Sequence, residues 1–221
     1  MKARFTLAEI QQHALGIVDR DGLVGLTMRS LAASLGTGPM TLYNYVDGRE
    51  ALEELVVDAV AARVETPEPS DDWLADTRAV ATALWRTVRA HPATVPLVLT
   101  RRTSSAGSLA PAEALAAALA RGGLQGADLL VAFRVVMAFV MGIAQSELAG
   151  PLARDESQDA AAERIGALAH DTLPTLSELA SIGVKFADLE FEQGLTVILT
   201  GVASTTHTEP HADERATEGR R

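Results

Sequence analysis

Apolar residues early in the chain recur at intervals of three and four rather than two. Leu7, Ile10, Ala14, Ile17 and Val18 therefore fall on one face of a helix. Thr6, followed three residues later by Glu9, is a capping box that starts this helix, and Gly22 is placed to close it. Thr27 is a second N-cap, after which Met28, Leu31, Ala32 and Leu35 form one stripe before Gly36. Gly36-Thr37-Gly38 reads as a tight turn, and Pro39 suits the first position of a third helix running to about Tyr45. Two short helices around a glycine-containing turn make a helix-turn-helix. A fourth helix starts at Asp47 as N-cap, with Glu50 three residues on, and is apolar at Leu52, Leu55, Val56 and Ala59 to about Val64.

The pattern then breaks at Thr66-Pro67-Glu68-Pro69-Ser70-Asp71-Asp72, a proline-rich acidic run that predicts a module boundary. Beyond it, helical stretches are predicted at about Trp73 to Ala90, Ala93 to Leu99, Pro111 to Arg121, Ala127 to Ala149, Gln158 to Leu168, Thr175 to Ser181 and Phe186 to Ser204. From Thr206 to Arg221 the chain is polar, contains Pro210 and Gly219, and offers nothing to bury. The expected organisation is residues 1–65 as a helix-turn-helix DNA-binding domain, 66–205 as a ligand-binding and dimerisation domain, and 206–221 as a disordered tail. No alternating strand pattern and no fixed-period repeat is visible.

Composition sharpens this to an all-α fold. Of 221 residues, 48% are hydrophobic and only 4% aromatic, and runs such as Leu115 to Leu119 consist of strong helix formers. There is no cysteine, which excludes disulfides and thiolate metal sites and fits a reducing cytoplasm. The N-terminus lacks the apolar core of a signal peptide, so export is not expected. The most apolar stretch, Leu129 to Ala144, is read as too short to span a bilayer and carries Arg134, which favours a buried soluble helix.

The formal net charge of −10 runs against nucleic-acid binding, which draws on cations at phosphates. Its distribution reverses the argument. Between Gly22 and Val46 there is no Asp or Glu and one cation, Arg29, while Lys2 and Arg4 precede the first helix. A carboxylate-free window in an acidic protein is what a phosphate-facing surface requires, although a buried segment has the same composition.

Within the third helix, Leu42 and Val46 are spaced i, i+4 and predicted to face the other helices, leaving Met40, Thr41, Tyr43 and Asn44 outward. Asn44 can pair bidentately with an adenine edge, Thr41 can bond a base or touch a thymine methyl, and Met40 can add an apolar base contact. Thr37 and Gly38 lie at the helix N-terminus, where free backbone N–H groups favour a phosphate. Arg49, at the start of the fourth helix, is placed for a phosphate as well.

The ordered run Leu26-Thr27-Met28-Arg29-Ser30-Leu31-Ala32-Ala33-Ser34-Leu35-Gly36, then Pro39 to Val46, then Arg49-Glu50-Ala51-Leu52, resembles the DNA-binding domain of the TetR family of transcription regulators. The likeness is specific over about Phe5 to Val56. Beyond Val64 it is one of organisation, and resembles the tetracycline-repressor-like branch, whose C-terminal helices form a ligand pocket and a four-helix dimer interface. The resemblance implies that the Tyr43 hydroxyl meets a phosphate, with Thr27 and Arg29 touching the backbone from the second helix. Such contacts set register rather than sequence. Tyr45 stands where many members carry histidine, Val46 where an aromatic is common and Arg49 where lysine is usual, which leaves the operator sequence open. Taken singly, these residues have plainer explanations, such as packing for the tyrosines and capping for Thr27.

In the second module, Leu129 to Gln145 and the last helix, with Phe186, Leu189, Phe191, Leu195, Val197, Ile198, Leu199 and Val202, are apolar almost all round and must be covered on more than one side. With the resemblance, Ala127–Ala149 and Phe186–Ser204 are expected to form a homodimer; a monomeric core is the alternative. Candidate pocket walls are Trp85, Phe133, Met137 and Met141, with Arg89, His91, Arg101, Arg102 and Gln145 as polar anchors. Aromatic and methionine side chains at helical spacing also serve as plain core.

The expected partners are a double-stranded DNA operator, an unidentified small-molecule effector and a second copy of the chain, with no membrane, cofactor or metal. A dimer placing two third helices about 34 Å apart reads successive major grooves of a palindrome. A ligand that prefers another head separation then releases the DNA, with a coupling of about 1–3 kcal/mol or more. Repression relieved by ligand is the simpler polarity, since the bound protein has only to block polymerase; activation is the alternative. A helical enzyme is the competing class, but no nucleophile elbow, phosphate-binding glycine loop or His-Glu-x-x-His helix is present. His207 and His211 are four apart in the tail and are not expected to hold a metal. A pure interaction module leaves the carboxylate-free window unexplained.

Overall fold

The computed structural model describes residues 5–100, 105–149, 163–164, 166–167 and 172–206, and among them there is no strand. The helices are α1 (Leu7–Gly25), α2 (Met28–Ser34), α3 (Pro39–Leu42), α4 (Gly48–Ala61), α5 (Trp73–Ala90), α6 (Val95–Thr100), α7 (Ala106–Arg121), α8 (Gly126–Ala149) and α9 (Pro174–Thr205), with a 3₁₀ turn at Pro92–Thr94. The chain is therefore all-α, with a helix-turn-helix at its start and a larger helical assembly after it. The predicted stretch Gln158 to Leu168 lies mostly outside the described residues, as do residues 207–221 with His207 and His211.

The start signals act as their chemistry requires. The Thr6 hydroxyl accepts from Glu9 N, and Glu9 Oε2 accepts from Thr6 N at 2.7 Å, which completes the capping box. These bonds to the ionised form hold the Glu9 carboxyl below its ordinary range. Thr27, expected as a simple cap, forms a second box with Ser30. Two boundaries and one cap differ from expectation. Gly22 does not end α1 but kinks it, at φ +69°, and the helix runs on to Gly25. Asp47 occupies the N-cap of α4 without a capping bond from its side chain. α7 starts at Ala106, where Ser105 accepts from Ser108 N, and it absorbs Pro111 at the cost of one backbone bond.

Two large apolar clusters form the interior. The first joins Ile10, Ile17 and Val18 of α1, Leu31 of α2, Leu42 and Val46, and Leu52, Val56 and Val60 of α4, and it takes in Leu97 from α6. The second joins Val80 and Leu84 of α5, Leu115 and Leu119 of α7, Val136 and Val140 of α8, and Phe191, Leu195 and Leu199 of α9. Each such side chain stabilises by about 1.5–3 kcal/mol when removed from water. Polar bonds tie the clusters together: Asp58 of α4 accepts from Ser105 Oγ at 2.7 Å and from Gln11 Nε2 at 3.4 Å. His91 Nδ1 meets Asp19 Oδ2 of α1 at 2.9 Å.

The segment between the modules is anchored through Asp76, a buried carboxylate at the start of α5. It accepts from Ser70 N at 2.8 Å and Ser70 Oγ at 2.7 Å, and pairs with Arg121 of α7. The Ser70 bonds first, and then Arg121, hold its carboxyl below the ordinary carboxylate range. A depressed folded-state pKa contributes stability above the unfolded value and loses it as pH falls through the folded value. Asp76→Asn is expected to lower the melting temperature at neutral pH, with the gap closing in acid below the ordinary carboxylate range. A gap that stays constant from neutral to acid pH would show that the charge of Asp76 contributes nothing.

Two helices expected at Thr175 to Ser181 and Phe186 to Ser204 are one 32-residue helix, α9. The α8 span Gly126–Ser146 is, by length and composition, apolar enough to cross a membrane, so the expectation that it is too short does not hold. One stripe of α8, Ala132, Val136, Val140 and Ala144, is buried against its neighbours. The opposite face exposes Leu130, Val131 and Val135, with Arg134 among them. An outward cation is costly in lipid and ordinary at a protein surface.

Candidate nucleic-acid interface

α3 is set by the turn before it. Gly36 takes φ +64°, and the Gly36 N to Ala33 O (3.1 Å) and Thr37 N to Ala32 O (2.9 Å) bonds close α2 in a Schellman motif. Gly38 is the N-cap of α3 and Pro39 opens it, as predicted. The helix proper ends at Leu42 rather than about Tyr45. Tyr43 to Tyr45 continue in tighter turns, with Tyr45 N donating to Leu42 O at 2.8 Å. Tyr45 turns back to the residue ahead of the α1 cap: its hydroxyl accepts from Phe5 N at 3.4 Å, and its ring meets Phe5 edge-on at 6.3 Å.

Leu42 and Val46 are buried, as their spacing predicts, and this fixes what faces out. Met40 is 79% exposed and Tyr43 54%; Asn44 is also exposed, and Thr41 is half-buried. Exposed Thr27 and Arg29 lie at the start of α2, with half-buried Thr37 and exposed Gly38 in the turn. A large apolar side chain and a phenol ring left in water beside an amide, with no carboxylate in residues 22–46, form a surface suited to base edges and phosphates.

Arg49 does something the sequence could not show. Its guanidinium donates to Leu26 O at 2.8 Å and Leu23 O at 3.1 Å, and its Nε pairs with Glu53 Oε1 at 2.6 Å. These bonds clamp the end of α1 and the entry to α2 onto α4, so Arg49 has a structural role beside the phosphate contact expected of it. Two of the three partners are backbone carbonyls distant in sequence, which leave no trace in side-chain pattern.

The expected pocket residues divide between the apolar interior and the surface. Trp85 and Met141 pack against the second large cluster and also against a small one of Val88, Val95 and Ala144. Phe133 and Met137 pack against the second large cluster, and Phe133 also lines a crevice of about 370 Å³ between α7 and α8. Arg89 stands over the Trp85 ring at 5.1 Å, and Gln145 is exposed. His91 lies instead on an open cleft of about 850 Å³ along the outer face of α5. Arg101 and Arg102 fall outside the described residues. Trp85 is half-buried because it is stacked on Phe191, with centroids 4.2 Å apart and planes within 7°. Core packing takes one face of the ring that periodicity offered to a pocket.

The family described as tetracyclin repressor-like, C-terminal domain, matches residues 66–206. An HTH-type transcriptional regulator of Saccharopolyspora erythraea is 31% identical over 92% of this chain and 87% of its own length. The HTH-type transcriptional repressor DrrR1 of Streptomyces coeruleorubidus is 33% identical over 66% of this chain, which spans 55% of that protein. In fold, the chain is similar to the TetR family protein ActR of Streptomyces coelicolor, solved with actinorhodin, at a TM-score of 0.79 and 29% identity over 92% of this chain and 97% of that one. Helix-turn-helix, helical C-terminal assembly and relatives agree: the chain belongs to the TetR family of transcription regulators.

Proposed function

We propose that this protein is a cytoplasmic, ligand-responsive repressor that binds a palindromic operator as a homodimer and is released by a small-molecule effector. The observation that carries the reading is the division of α3 and its continuation. Leu42 and Val46 hold the element to the core, while Met40, Tyr43 and Asn44 stand in solvent. Met40, Thr41 and Asn44 are assigned to base edges, and Tyr43, Thr27, Arg29, Thr37 and Gly38 to the backbone. Dimerisation is assigned to the exposed apolar faces of α8 and α9. The effector region is assigned to the junction where Trp85 and Met141 meet, with Arg89 over the ring as the orienting cation and Met137 and Phe133 supplied by α8. The complex of ActR with actinorhodin supports a small-molecule effector here.

The test is binding to fragments of the neighbouring genome at several salt concentrations. Specific affinity should lie near 10⁻⁸–10⁻¹¹ M and fall steeply with salt. Tyr43→Phe is expected to weaken all sites alike, whereas Asn44→Ala should cost about 1–3 kcal/mol at particular base pairs and flatten preference there. Uniform weakening by Asn44→Ala would remove it from the base-reading set. Absence of any salt-dependent binding would remove the repressor reading itself.

A further inference from the structure

We propose that the cleft along the outer face of α5 is a second ligand site, built for a small organic anion with a flat apolar body. It is separate from the effector region around Trp85, because Val80, Leu84 and Val88 of α5 face inward to the core while the cleft uses the opposite side of the same helix. Ala75, Ala79 and Ala83, four residues apart, give this face a floor without bulk, and Arg63 to Pro67 form a side wall. A hollow of about 850 Å³ is within the range of drug-sized sites.

The charge of the lining selects the ligand. Arg63, Arg78, Arg86 and His91 line the cleft, against one carboxylate, Glu65. In a chain of net charge −10 this is a local reversal of sign. Three of these groups already have partners. Arg63 donates to Ala59 O at 2.7 Å, Arg78 reaches Thr196 Oγ1 at 3.1 Å and Glu192 at 3.5 Å, and His91 is paired with Asp19. Arg86 is exposed and makes no hydrogen bond or ion pair among the described residues. Its planar fork matches a carboxylate bidentately, and the alanine floor beside it accepts an aromatic or aliphatic face. A neutral molecule of the same shape gains only the floor.

The probes are 1-naphthoate and its neutral counterpart 1-naphthamide, titrated by calorimetry into the full-length protein. The site predicts that naphthoate binds and that the amide binds at least about tenfold more weakly, since a hydrogen bond to a charged group is worth about that factor or more. Arg86→Ala should weaken naphthoate about 10- to 100-fold, Arg86→Lys less, and none of the variants should shift the melting temperature of the free protein. Ala83→Leu, which fills the floor, should abolish binding while circular dichroism and melting stay unchanged. Equal affinity for acid and amide, indifference to both Arg86→Ala and Ala83→Leu, or no binding of naphthoate because a second copy covers this face, would each overturn the proposal. None of these readouts depends on operator binding, so failure of the repressor reading would leave them interpretable.

Discussion

Replacing Val197 by glutamate is expected to convert the protein to monomers and to weaken operator binding by about 10³-fold or more, the gap between specific and non-specific affinity. Val197 is 72% exposed in the last third of α9, and Leu189 on the same helix is half exposed. On α8, Val131 is 60% exposed and Val135 44%. Apolar surface concentrated on two neighbouring helices is what a partner covers. The glycines point the same way. A Cβ built at Gly142 of α8 or Gly201 of α9 meets nothing within 4 Å, so packing inside one chain does not demand glycine there. A second pair of helices approaching closely would. In a two-fold interface the same surface serves both subunits, so one substitution places two carboxylates in a dry seam, a cost no single surface charge carries. Sedimentation velocity reads the mass and a gel shift reads the operator, with Val197→Ala as the variant that keeps the dimer. Unchanged mass and unchanged operator affinity in Val197→Glu would move the interface elsewhere.

The parts of the fold legible in the sequence were those governed by local chemistry. Thr6 with Glu9, Thr27 ahead of its helix, and Gly36 to Pro39 specify caps and turns through groups a few residues apart, and the structure places them accordingly. The outward set on α3 was legible too, because Leu42 and Val46 have one face to bury. What escaped depends on distant partners. Arg49 reads as a phosphate ligand, and nothing in the side-chain pattern announces its further bonds to the carbonyls of Leu23 and Leu26. The chain reads as one helix ending at Ser181 and another starting at Phe186, yet α9 runs through residues 182–185, with Phe191, Leu195 and Leu199 packed into the second cluster. Pro111 reads as the start of α7, whereas Ser105 and Ser108 hold the true start. Trp85 offers the same helical spacing to a pocket or to a core, and only Phe191, 106 positions later by sequence numbering (191 − 85), shows that the core takes one of its faces.

That same residue carries the largest expected loss of stability. Phe191→Ala is expected to cost about 3–5 kcal/mol, the range for removing a buried aromatic ring. Phe191 is 1% exposed and sits between two rings, Trp85 at 4.2 Å and Phe139 at 5.7 Å, so its removal strips one face from each. Collapse cannot fill the gap cheaply. On one side, Phe139 already lies so close to Gly194 that a Cβ there would stand 2.5 Å from the ring, and on the other Arg89 lies 5.1 Å from the Trp85 centroid. Three helices, α5, α8 and α9, meet through this stack, so the loss falls on the assembly proposed to dimerise and to sense. For a chain of this size the melting temperature should drop by roughly 6–20 °C. Phe191→Leu, which keeps most of the volume but not the stacking, should lose less. Urea unfolding followed by circular dichroism separates the two, and a Phe191→Ala loss below about 1 kcal/mol would mean that the stack contributes area alone at a site able to relax.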